Sequence, residues 1–178
     1  MQTRRFTHLP SLTFAVLFTI LVGGVGADAS TLVGTWLNEV NVVTCPPEPE
    51  VLATFPSMTT YIRGGILIEG GGPPAPPPAV SSSAGHGIWE RTGDHTFRVF
   101  FRIHSFDHLG RLVRITEVTT HPRLIKGDNP ETPDVREPYY LKGEGTNTIT
   151  NLNPVDGTVI NVTEGCNDAT SRPILFED

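Results

Sequence analysis

The stretch with the most chemical potential runs from Val113 to His121. There Val113, Ile115, Glu117, Thr119 and His121 recur at every second position. An extended chain places all five on one face, because successive side chains of a strand point to opposite sides. If Val113 and Ile115 pack inside a core, Glu117 follows them in. A carboxyl taken out of water is driven toward its neutral form unless an Arg or His pairs with it. Such a group can act as a general acid or base, or can orient the polar end of a ligand. The competing outcome is that the strand twists or bulges and returns Glu117 toward solvent, or that an arginine locks it. On the preceding segment Phe97, Val99, Phe101 and Ile103 alternate against Arg98, Arg102 and His104 and offer an apolar wall. The predicted pocket therefore comprises Phe97, Val99, Phe101, Ile103, Val113, Ile115, Glu117 and His121. Glu117 is the catalytic candidate if the protein is an enzyme.

Other chemistry is weakly marked. Histidines 86, 95, 104, 108 and 121 are scattered, so a metal would have to be held from separate strands, and none is expected. No Ser-His-Asp arrangement, phosphate loop or dinucleotide fingerprint is present, and no cofactor is expected. Glu90 and Arg91, beside Trp89, read as a structural salt bridge. Gly143 and Gly145 share one face of a segment, either to make room for a ligand or to relieve bending.

These residues sit in short β-rich runs with no helix-length 3.6-residue period. Eight strands are predicted, over 33–43, 51–62, 66–69, 86–91, 95–106, 111–125, 138–150 and 158–169. Turn signals join them at Arg63-Gly64-Gly65, Thr92-Gly93-Asp94, Asp107 to Gly110 and Asn153 to Gly157. Sequential hairpins make an up-and-down meander, which leaves two open edges unless the first and last strands pair. Cys45 ends the first strand and Cys166 lies in the last, so a disulfide between them would cross the seam of a closed barrel. Two segments fall outside the meander. Gly70 to Gly85, GGGPPAPPPAVSSSAG, offers no apolar face and reads as an irregular, exposed loop. Residues 126–137 read as a second long polar loop.

The chain opens with Arg4 and Arg5, an apolar run from Ser11 to Val25, and Ala27-Asp28-Ala29. That is a signal-peptide pattern over 1–29, and it predicts one secreted or periplasmic domain over 30–178 with no membrane segment after cleavage. Losing Arg4, Arg5 and Asp28 from the 13 Lys+Arg and 19 Asp+Glu leaves a net charge of −7. Scattered cations on an acidic chain argue against nucleic acid as a partner.

Gly34-Thr35-Trp36 at the start of the first strand resembles the G-x-W signature of lipocalins and the wider calycin barrels. That resemblance implies a Trp36 that plugs one barrel end and an Arg172 guanidinium stacked on it, a cation–π contact. The Thr-Asp-Tyr element of many lipocalins is missing. Gly85-His86-Gly87-Ile88-Trp89-Glu90-Arg91-Thr92-Gly93, followed by Thr96-Phe97-Arg98, is similar to short secreted bacterial proteins with lipocalin-like or allene-oxide-cyclase-like barrels. The expected fold is thus an all-β, eight-stranded antiparallel up-and-down barrel. The expected partner is a small hydrophobic or amphipathic molecule bound inside. A cofactor-free isomerase or cyclase using Glu117 is one alternative, and a solid-cored interaction module is another.

Overall fold

The computed structural model describes residues 32–71, 76–127 and 139–174. The predicted signal peptide and nearly all of the predicted loop over 126–137 lie outside them. Among the described residues nine strands form: β1 (Gly34–Val43), β2 (Val51–Ile62), β3 (Ile66–Gly70), β4 (Ser81–Ser82), β5 (Gly85–Arg91), β6 (Phe97–Phe106), β7 (Leu112–Lys126), β8 (Tyr139–Leu152) and β9 (Val159–Pro173). Leaving aside the two-residue β4, each strand pairs antiparallel with the next, and β9 returns to β1. The result is a closed eight-stranded barrel, in which no main strand has a wholly unpaired edge. The β1–β9 ladder runs from Trp36 opposite Pro173 to Val43 opposite Cys166. Cys45 and Cys166 are disulfide-bonded across that seam, with Cα atoms 5.1 Å apart.

One end of the barrel is packed solid. Leu32, Trp36, Tyr61, Leu67, Phe97, Val99, Leu124, Tyr139 and Leu141 form a single buried cluster, with Trp89 against it. Trp36 is 1% exposed, donates its indole N–H to the Leu32 carbonyl at 2.9 Å and tilts against the Tyr139 ring at 5.8 Å. Trp89 meets Tyr61 and Phe97 edge-on. Trp36 therefore plugs the end, but Arg172 does not cover it. The last strand continues through Arg172 to Pro173, so Pro173 opposes Trp36 while Arg172 opposes Leu37. Alternation then sends Arg172 to the outer face, where it is exposed.

Within the segment 70–85, residues 72–75 lie outside the described residues, and the rest is more ordered than its composition suggests. Gly70 closes β3, Gly85 opens β5, and Ser81 and Ser82 pair with Phe106 and Ser105. Val80 donates its amide to the Phe106 carbonyl at 2.8 Å, and Ala79 is buried. The physical reason is that β6 is longer than β5, so the edge of its far half that turns away from β7 would be unpaired without residues 80–83. Glu90 and Arg91 also do not pair with each other, because neighbours on a strand face opposite sides. Glu90 instead lies 3.6 Å from Arg98 on β6, and Arg91 lies 3.4 Å from Asp94 in the turn.

A single irregularity decides which face of β7 is internal. Ser105 opposes Arg114 while Phe106 opposes Leu112, which leaves Val113 as an extra residue, a β-bulge. An unbroken ladder would have set Ser105 against Val113 and carried Val113, Ile115 and Glu117 inside. The bulge inverts that parity. Arg114, Thr116, Val118 and Thr120 face the interior instead.

Candidate functional site

Beyond the packed end, the barrel holds a partly open cavity of about 750 Å³. Its walls come from all eight main strands except β5, and from residues 80–84. Val40, Val42, Phe55, Ile103, Val118 and Ile149 make apolar surface, and Arg114 contributes a cation. The Arg114 guanidinium donates to Asn151 Oδ1 at 2.8 Å and reaches the Pro76 carbonyl at 3.5 Å. The interior is thus not filled by side chains, as a solid-cored barrel would be.

The inner part of the wall is polar. Ser57, Thr59, Glu69, Ser105, Asp107 and Ser171 are the buried polar or charged residues among those described, and all but Asp107 line the cavity. Asn38 donates its side-chain amide to the hydroxyl oxygens of Ser57 and Thr59, both at 2.8 Å. Ser57 in turn hydrogen-bonds the Glu69 carboxyl. Glu69 is 5% exposed, and burial pushes its carboxyl above the usual range while the Ser57 bond acts the other way. Tyr61, beside it, is pushed up by burial and by the Glu69 charge, and so keeps its proton. Position 85 must be glycine for this arrangement. A Cβ there would lie 2.9 Å from Phe101 Cδ2 and 3.0 Å from Glu69 Oε2. Gly143 also lines the cavity, whereas a Cβ on Gly145 would fall 2.3 Å from the Thr119 carbonyl, so that glycine serves close strand approach.

The expected pocket residues separate into three groups. Phe101 and Ile103 line the cavity. Phe97 and Val99 are buried deeper, in the plug. Val113 is buried but is not part of the lining, and Ile115, Glu117 and His121 belong to the outward parity of β7. Glu117 receives hydrogen bonds from Nε (3.0 Å) and Nη2 of Arg102, which stands directly opposite on β6. It is a partly exposed structural ion pair, and His121 is exposed. Among the described residues the carboxyl that lines the cavity is Glu69 instead. Its only signal in the sequence is that it shares a face with Leu67 on a short strand.

A closed antiparallel up-and-down barrel with one end plugged by tryptophan and a chamber behind the plug is the class this fold and site define, consistent with a lipocalin-like barrel. No protein-family model, curated protein or solved structure matches the chain. The functional reading therefore rests on the chamber itself.

Proposed function

We propose that the protein is an extracytoplasmic binding barrel that takes a small amphipathic molecule into its interior, a use to which a lipocalin-like barrel is suited. The supporting observation is the cavity of about 750 Å³, within the range of roughly 300–1,000 Å³ typical of small-molecule sites. It combines an apolar wall with a few convergent polar groups, the usual division of labour between affinity and orientation. The Cys45–Cys166 bond supports maturation in an oxidising compartment. An isomerase built on Glu117 has no support, because that carboxylate is turned away from the chamber and paired with Arg102.

The test is titration with the neutral fluorophore N-phenyl-1-naphthylamine. Saturable one-to-one binding is expected. Val40→Trp and Ile149→Trp, which fill the chamber from different walls, should abolish it while circular dichroism stays unchanged. Absence of saturable binding to the native protein, or full binding in both folded variants, overturns the proposal.

A further inference from the structure

We infer that the head group this chamber selects is a protonated amine, with Glu69 as its counter-ion, an inference that rests on the binding-barrel reading above. Glu69 is buried, lines the cavity and makes no ion pair among the described residues. Beside it lie Ser57, Thr59 and Tyr61 of β2 and Phe101 of β6, with Gly85 of β5 opposite, and Asn38 of β1 stands behind Ser57 and Thr59, to which it is hydrogen-bonded. None of them is a cation. The cavity's arginine, Arg114, is on β7, separated from β3 by β5 and β6, and is bound to Asn151.

A buried carboxylate without a cation is costly. The fold nevertheless builds a place for this one, through the hydrogen bond from Asn38 to Ser57, that between Ser57 and Glu69, and the missing side chain at position 85. An entering ammonium supplies the opposite charge that the protein withholds, and charge-assisted hydrogen bonds are about twice as strong as neutral ones. Its three donors can reach the carboxylate and the hydroxyl oxygens beside it. An uncharged hydroxyl gains only a neutral bond, and an anionic head meets a group of its own sign. The Phe101 ring flanks the same gap that Gly85 leaves, and an aromatic ring favours a cation over an anion. The ligand class is therefore a long-chain or otherwise apolar amine, its head at Glu69 and its tail along Val40, Phe55, Ile103 and Ile149.

The experiment displaces N-phenyl-1-naphthylamine with dodecylamine, dodecanol and dodecanoate, which share one tail. At neutral pH dodecylamine should bind about tenfold or more tightly than dodecanol, the difference between a charge-assisted and a neutral hydrogen bond. Dodecanoate should bind most weakly. Glu69→Gln keeps the shape and the Ser57 contact, and should bring the amine down to the alcohol's affinity while dodecanol is unchanged. Glu117→Gln removes an outward carboxylate and should leave the amine preference intact, which separates the chamber from general attraction to an acidic surface. Equal affinity for amine and alcohol, or an amine preference that survives Glu69→Gln, overturns the inference and leaves the binding barrel standing. Dodecanoate binding most tightly overturns it in favour of Arg114 as the head-group partner. If neither the fluorophore nor any of the three amphiphiles binds, the binding-barrel reading fails as well.

Discussion

Replacing both cysteines, as Cys45→Ser with Cys166→Ser, tests how the ring is held shut. The bond joins residues 121 apart in sequence. In the chain-entropy model, cross-linking a loop of that length withholds about 16 cal/mol/K from the unfolded chain, or about 5 kcal/mol at 25 °C. A domain of this size has a total stability of roughly 5–15 kcal/mol, so the variant should lose a third or more of it. The native barrel should change little, because the β1–β9 ladder holds the seam independently, from Trp36 opposite Pro173 to Val43 opposite Cys166. Urea unfolding followed by tryptophan fluorescence is a suitable assay, since Trp36 and Trp89 both report on the packed end. The midpoint should fall and the m-value should rise, because an uncrosslinked chain exposes more surface on unfolding. Amide exchange should quicken first at Val42 and Val43, beside the lost bond. A loss below about 1 kcal/mol with an unchanged m-value would refute the reasoning. It would mean that the denatured chain remains as compact without the bond as with it.

Trp36→Ala should cost about 3–5 kcal/mol, as other large core truncations do, and leaves the Leu32 carbonyl without its indole donor; a urea midpoint close to wild type would disprove the plug. Asp107 accepts from the amides of Leu109 and Arg111 and from the Arg111 guanidinium, and these bonds lower its carboxyl to about 2. Its stabilising effect is therefore present above the ordinary carboxylate range and disappears as pH falls toward 2. Asp107→Asn should be less stable than wild type at pH 7, and the gap should close in acid; a constant gap in pH-dependent melting would contradict this. Glu69 works in the opposite sense. Its carboxyl is raised by burial, so its contribution is present below the ordinary value and is lost as pH rises through the folded one. Free of ligand, Glu69→Gln should be more stable than wild type at pH 7 and lose that advantage toward pH 4, with equal melting temperatures at neutral pH as the refuting result.

The strand plan was legible in the chain itself. Turn residues such as Gly64-Gly65, Gly110 and Gly157 punctuate β-rich runs, and short sequential hairpins leave almost no topology open except the meander. Closure was legible too, from two cysteines at the two ends of that meander. Alternation on a single strand was equally reliable within its limits, which is why Phe101 and Ile103 are found in the chamber wall.

Which face of each strand turns inward belonged to the tertiary structure. Reading apolar residues as internal fails on β2, β3 and β5, where Met58, Ile62, Ile66, Ile68 and Ile88 are exposed on the outside and Ser57, Thr59 and Glu69 are within. A barrel whose chamber carries a polar patch does not obey the rule for a barrel with a solid core. On β7 the decision fell to one extra residue. Val113 bulges out of the ladder, and because side chains alternate with period two, that insertion moved Glu117 out and Thr116 in. Arg172 missed Trp36 for the same reason, being one position out of phase with it across the β1–β9 seam. Local sequence determines that a segment is extended. Parity is fixed by register against a partner strand far along the chain, and register is decided only when the ring closes.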